Sequence, residues 1–268
     1  MKSARPVSPG MTGDELRLFF GLLDAAPSSL LLLDYDGTLA PFREDPAVAS
    51  PYPQIAVLLR DILRTGLSRT VIVTGRSLAS IIPLLDFRPI PEIWASHGRE
   101  HRLPGGEIRR IKPTETQREG LAEALRAGRS SNLPGRLEEK PFSAAFHVRG
   151  LSNDIGERSL VEVRRVWRPV ALRVGFSIQA FDGGIEIRAP GRSKGDAVEE
   201  LLAETPAGTP AAYLGDDETD EDAFRALGSR GLSVLVRREW RPTHARAWLR
   251  PPEEVQEFLE RWLRACGG

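Results

Sequence analysis

The sequence predicts an α/β protein: a Rossmann-like, doubly wound, mostly parallel sheet with an α+β unit inserted into it. Leu30-Leu31-Leu32-Leu33 has no polar face, as expected of a short strand covered by helices on both sides. Thr70-Val71-Ile72-Val73 repeats the design, and each run leads through a polar turn toward a helical pattern, the arrangement that links parallel strands. From about residue 102 to residue 188 the texture changes to hairpins and two helices, after which the first pattern resumes.

In chain order, residues 1–10 carry Pro6, Pro9 and Gly10 and read as a loose leader. Asp14 to Leu23 is helical, with Leu16, Phe19, Phe20 and Leu23 on one face and Thr12 as its cap. After the leucine strand, Pro46, Pro51 and Pro53 break the chain before an amphipathic helix from Gln54 to Leu63. The Thr70 strand leads to a helix from Leu78 to Leu85, and Ile93 to Gly98 reads as a third strand with its turn. Gly105-Gly106 marks a hairpin-like turn and Thr116 to Arg126 a helix. Gly135 to Val148 alternates as strand, Leu160 to Trp167 is a second helix, and Arg173 to Ile187 is a hairpin turning at Asp182-Gly183-Gly184. These pieces form the inserted unit, 102–188, leaving 1–101 and 189–268 as the core. A helix from Asp196 to Leu202, a buried strand Ala211 to Gly215, a last short strand Val234 to Val236 and a closing helix Val255 to Leu263 complete it.

A chain of 268 residues suits one large core or a core plus a smaller unit, since single cores stop growing near ~250–300 residues. Lys+Arg and Asp+Glu stand at 37 each, so no net field favours nucleic acid or an anionic membrane, and any phosphate recognition must be local. The single cysteine, Cys266, excludes an internal disulfide framework and a cysteine-based metal site. No signal-peptide pattern and no apolar run near ~18 residues is visible. The expectation is a soluble, cytoplasmic monomer with no nucleic-acid or membrane partner.

The candidate site begins where the leucine strand ends. Asp34 and Asp36 are two residues apart, so their side chains leave one face of an extended chain, and Gly37 permits a sharp turn after them. Ligands of open α/β sheets bind outside the carboxyl ends of the strands. Two like charges this close require compensation, and oxygen donors without nearby Cys or His favour a hard divalent ion, Mg²⁺ above all. Thr74 and the amides from Gly75 to Ser77 face the same crevice on this reading, where a helix start suits a phosphate and Arg76 adds a charged donor. A simple helix cap is the plainer account of that turn, and His97 taken alone is a structural histidine. Lys194, at a glycine-flanked helix start, either offsets the carboxylates or is merely solvated. The run Asp216 to Asp222 begins at a strand's end and opens a helix, where a metal ligand would be needed.

With these pieces in order, the sequence resembles the haloacid-dehalogenase-like phosphatases, whose four motifs are matched by Asp34-Tyr35-Asp36-Gly37-Thr38, Thr74-Gly75-Arg76, Lys194 and Gly215-Asp216-Asp217. Within that superfamily it is similar to the trehalose-6-phosphate phosphatases. That likeness rests on Leu33 to Phe42, Ser96-His97-Gly98, Glu186-Ile187-Arg188 before Lys194-Gly195, and Gly215 to Phe224. The inserted unit matches the family's α/β cap, with Glu138-Glu139-Lys140 resembling a Glu-x-Lys segment and His147-Val148-Arg149 a His-x-Arg segment. The resemblance implies hydrolysis of trehalose 6-phosphate through an aspartyl-phosphate. Asp34 is then the nucleophile and Asp36 the acid and base, while Thr74 and Lys194 hold the phosphoryl group. Mg²⁺ is bound by Asp34, the Asp36 carbonyl and Asp216, with Asp217 and Asp220 behind them. Gly75, Arg76 and His97 serve the substrate, and Glu138, Lys140, Arg149 and Glu186 bind the hydroxyls of a phosphorylated disaccharide. The cap is expected to close over it.

Other readings keep part of this chemistry. The substrate could be sucrose phosphate or a glucosylglycerol phosphate, and the phosphomannomutases share the Asp-x-Asp-Gly-Thr start. A signalling receiver also uses Asp, Thr and Lys around Mg²⁺, although an acid two residues after the acceptor suits turnover better. A sugar-phosphate binder without catalysis is opposed by the intact acidic set.

Overall fold

The computed structural model describes residues 13–181 and 183–267, so the expected leader, the Thr12 cap and Asp182 of the expected turn lie outside the described residues. The chain divides into two compact units, one running to Arg110 and resuming at Arg192, the other spanning Ile111–Gly191.

The first unit is built on an eight-stranded sheet. Its strands are β1 (Ser29–Leu33), β2 (Ser68–Val73), β3 (Glu92–Ala95), β4 (Glu100–Arg102), β5 (Ile108–Arg110), then β10 (Ala211–Gly215), β11 (Leu232–Val236) and β12 (Ala247–Leu249). They lie in the order β12-β11-β10-β1-β2-β3-β4-β5, parallel through β3 and antiparallel at the β4 and β5 edge. Period-two alternation explains why four leucines can follow one another. Leu31 and Leu33 enter the core under α1 (Gly13–Asp24), α2 (Pro53–Thr65) and α8 (Glu253–Ala265), with Phe20, Ile55, Leu59, Phe258 and Trp262. Leu30 and Leu32 enter the opposite core with Val198, Leu201, Phe224 and Leu227 of α6 (Lys194–Ala203) and α7 (Glu221–Leu227). Each leucine is buried, which stabilises the sheet by roughly 2 kcal/mol per side chain. Successive strands run outward from β1 in one direction and from β10 in the other. The reversal between β1 and β10 is the position where such sheets open a ligand crevice.

The second unit is a four-stranded antiparallel sheet, β6 (Arg136–Glu139), β7 (Ser143–His147), β8 (Ser177–Phe181) and β9 (Gly184–Arg188), in the order β6-β7-β9-β8. Helices α4 (Glu115–Ser130) and α5 (Asn153–Val174) cover one face through Leu121, Leu125, Val163 and Trp167. Trp167 is fully buried, and its Nε1 donates to the Ala124 carbonyl at 2.9 Å, so its one polar atom is satisfied.

Several boundaries differ from expectation. The Gly105-Gly106 hairpin belongs to the core sheet, because Glu100–Arg102 pairs antiparallel with β3, and the division therefore falls at Arg110 instead of 101. Val234 to Val236 is not the last strand, since β12 follows; three residues are too few for an alternation signal. The second helix of the inserted unit continues through Pro169 and ends only at Gly175, whose φ of 70° stops it, so Arg173 is helical. The helix from Leu78 is α3 (Leu78–Ile81), finishing in a 3₁₀ turn at Ile82–Leu84.

Candidate active site

Leu33 pairs in register with Leu214, so the next residues of β1 and β10 emerge side by side. The Asp34 N–H is bonded to the Leu214 carbonyl at 2.8 Å, which fixes the first carboxylate against the second strand. Asp34, Asp216 and Asp220 are all buried, and each offers an oxygen within 4.8 Å of the others. Gly37 is required by this closeness. It has φ of 80°, and a Cβ there would stand 2.2 Å from Asp216 Oδ2.

Lys194 enters at the first turn of α6, whose start is fixed by Ser193 and Asp196 capping each other's backbone N–H groups. Its ammonium donates to Asp34 Oδ1 at 2.6 Å and to Asp220 Oδ1 at 2.7 Å. Asp220 is wholly engaged: Oδ1 also accepts from the Tyr213 hydroxyl at 2.6 Å, and Oδ2 accepts the N–H groups of Asp216 and Asp217. Tyr213 was not among the expected site residues, for within an apolar strand nothing distinguishes it from a core aromatic. Gly215 leaves room for this carboxylate, since a Cβ there would lie 2.4 Å from Asp220 Cγ.

One ammonium does not neutralise this set. Burial raises the Asp34 carboxyl to about 7 against the pull of Lys194, and the charges of Asp220 and Asp36 push the same way. Burial, followed by the charges of Asp34, Asp220 and Asp217, pushes Asp216 well above the carboxylate range. Lys194 is buried, which alone would lower it, yet Asp220 and Asp34 hold it above its ordinary value. An all-oxygen donor set with surplus negative charge fits a hard divalent cation, and Asp34 and Asp216 are the carboxylates with capacity left for one.

The turn after β2 approaches the same sheet end. Thr74 Oγ1 accepts the Arg76 N–H at 3.1 Å, which leaves its own O–H to donate. Ser96 and His97 both adopt positive φ, and their N–H groups bond to the Arg76 and Thr74 carbonyls. The His97 ring lies where a Cβ on Gly75 would be, at 2.7 Å, so this histidine abuts the turn directly. Arg76 is held by the protein itself: Nε and Nη2 each donate to the Asp36 carboxylate at 2.7 Å, and Nη1 donates to the Pro46 carbonyl at 2.8 Å.

In the second unit, register sets Glu138, Ala145, Glu186 and Gln179 in one row across β6, β7, β9 and β8. Small Ala145 leaves space between the two glutamates. Glu138 Oε2 accepts from His147 Nε2 at 2.7 Å, and Glu186 accepts from Lys140 Nζ at 3.1 Å and Ser143 Oγ at 2.7 Å. Burial would raise Glu138, but the His147 bond and the Lys140 charge outweigh it and lower the carboxyl to about 2. The Arg149 side chain covers Gly183, where a Cβ would meet its Cγ at 2.4 Å. Side chains with this mixture of donors and acceptors suit polyhydroxyl ligands.

A family model described as Trehalose-phosphatase matches residues 32–248. The trehalose-phosphate phosphatase of Mycobacterium marinum is 30% identical over 255 residues, which make up 88% of this chain and 61% of that protein. The chain thus spans about three fifths of the length of the two mycobacterial relatives among the first three it matches, and 29% of the bifunctional trehalose-6-phosphate synthase/phosphatase of Thermoproteus tenax. The solved C-terminal domain of Candida albicans trehalose-6-phosphate phosphatase superposes with a TM-score of 0.82 at 22% identity, covering 98% of this chain and 99% of that one. A haloacid dehalogenase-like hydrolase from Bacteroides thetaiotaomicron gives 0.62 at 17% identity, covering 87% and 99%. No helix among the described residues is long and apolar enough to cross a membrane.

Proposed function

The chain belongs to the trehalose-phosphatase family, and on that premise we propose that it hydrolyses trehalose 6-phosphate to trehalose and phosphate. The observation that carries the reading is the convergence of Asp34, Asp216, Asp220 and Lys194 at the carboxyl ends of two adjacent parallel strands. A buried carboxylate held by one lysine is fixed for attack, and splitting the displacement into two steps lowers the barrier of a very slow hydrolysis.

Asp34 attacks phosphorus, and the bond from phosphorus to the sugar oxygen breaks as Asp36 delivers a proton to that oxygen. Asp36 then takes a proton from the water that attacks the aspartyl-phosphate, which restores Asp34 and releases phosphate. The Thr74 hydroxyl and the Lys194 ammonium hold the phosphoryl oxygens, and Asp220 with Tyr213 keeps Lys194 in place. Asp34, the Asp36 carbonyl and Asp216 would hold Mg²⁺, which neutralises charge on the phosphoryl oxygens. Glu138, Lys140, Arg149 and Glu186 bind sugar hydroxyls, since a site with buried polar groups penalises ligands that leave them unpaired.

The test is phosphate release from trehalose 6-phosphate with Mg²⁺, comparing wild type with Asp34→Asn. The variant keeps the shape of the nucleophile without its charge and should lose at least ~10³-fold in kcat. Comparable kcat/KM on sucrose phosphate and glucosylglycerol phosphate would overturn the substrate, and an undiminished Asp34→Asn enzyme would overturn the chemistry.

A further inference from the structure

Arg76 stands in the turn where a phosphate was expected, yet its guanidinium is spent on the protein. The two parallel bonds to Asp36, both 2.7 Å, form the fork that only arginine can make, and the third nitrogen grips the Pro46 carbonyl. The side chain is only 10% exposed, and the guanidinium carbon sits 5.4 Å from the centre of the Tyr35 ring. Tyr35 is itself fixed by its hydroxyl bond to the Ala49 carbonyl at 2.8 Å. Asp36 follows β1 on a turn closed by Gly37 N–H to the Ala40 carbonyl, so its backbone is anchored while its side chain stays 31% exposed. A carboxylate on such a turn has several rotamers open to it. Arg76 selects one.

We propose that Arg76 is the positioning residue of Asp36: it sets where the acid and base of the reaction stands, and does not bind the phosphate. The proposal rests on the reading of Asp36 as the group that protonates the leaving oxygen. Phosphate binding is left to Thr74, whose O–H is available to donate, and to Lys194. Arg76 thereby joins three segments that are distant in sequence: the acid after β1, the 3₁₀ turn Pro46–Val48, and its own turn after β2.

The two roles separate by leaving group. A sugar alkoxide needs the proton from Asp36, whereas p-nitrophenolate departs without one, so the first step on p-nitrophenyl phosphate reports phosphate binding and Asp34 attack alone. Arg76→Ala is expected to lower kcat on trehalose 6-phosphate by about 10²-fold, with KM, the inhibition constant of inorganic phosphate and the p-nitrophenol burst rate each within about threefold of wild type. Combined with Asp36→Asn, it should slow the enzyme no further than Asp36→Asn alone, because residues acting through one another are not additive. Arg76→Lys should recover little, since a point charge cannot reproduce the fork. Arg76→Gln carries the same comparisons if the alanine variant does not fold.

A tenfold or larger rise in KM and in the phosphate inhibition constant, about matched by slowing of the burst, would make Arg76 a phosphate ligand and overturn the proposal. So would a double variant that loses the full Arg76→Ala factor beyond Asp36→Asn. If Asp36→Asn itself turns over trehalose 6-phosphate at the wild-type rate, the acid and base reading fails. That outcome is read from the Asp36 variant alone, apart from any result at Arg76.

Discussion

Lys194 Nζ lies 2.6 Å from Asp34 Oδ1, across 160 positions of sequence. The contact joins the helix that resumes the core to the strand that begins it, with neither partner more than 4% exposed. Charges this deep are costly to leave alone, and breaking a buried pair is more destabilising than its net contribution suggests.

Lys194→Met should therefore lower stability in urea unfolding by about 3–5 kcal/mol and reduce phosphate release by at least ~10²-fold. Much of the stability loss should come from the orphaned carboxylates. The double variant Lys194→Met with Asp34→Asn should then be more stable than the sum of the single losses predicts. Strict additivity would show that the pair is not coupled.

Asp216 gives a second expectation. Burial and its acidic neighbours hold its carboxyl well above the usual range, so in the absence of a cation its ionised form is a burden to the fold. Asp216→Asn removes that burden. In EDTA the variant should melt no lower than wild type, whereas with Mg²⁺ only wild type should gain. That gain should be about 2–3 kcal/mol at ~100-fold excess over Kd. A Mg²⁺ shift of equal size in the variant would remove Asp216 from the metal site.

Glu92 concerns the other end of the sheet. Its carboxylate accepts both donors of Arg69 at 2.8 and 2.9 Å, the Trp94 indole at 3.2 Å, and bonds His101 at 2.7 Å. Burial raises this group, but the His101 and Arg69 bonds prevail and bring it from 4.5 to about 2. A depressed carboxyl stabilises the fold above its unfolded value and loses that contribution as pH falls, here from about 4.5 down through about 2. Glu92→Gln should cost on the order of 3 kcal/mol at pH 7 and flatten the fall in stability over that acid window. Turnover should be little changed, because Glu92 begins β3 while the site lies beyond the strands' carboxyl ends.

Much of this was legible in the sequence because it is locally encoded. The leucine run placed β1, the break after it placed Asp34 and Asp36, and the apolar segment from Ala211 placed Asp216. Pattern and a glycine-flanked start predict helix α6 from Asp196, and the structure begins it at Lys194 behind a capping box. Short edge elements escaped. β4, β5 and β12 each hold three residues, which is below the length at which alternation can be distinguished from chance, so sequence pattern alone places the edge hairpin with the inserted unit.

The sequence alone determined the order of the longer elements, the face their apolar residues bury, and the chemical types available at the strand ends, because those depend on period and turn chemistry within a few residues. Only the tertiary structure decided which of those groups meet. It put Tyr213 beneath Asp220, gave Arg76 to Asp36, and aligned Glu138 with Glu186 across Ala145. Hydrogen bonds and charges act over a few ångströms, and the register of strands far apart in the chain is what brings side chains within that reach.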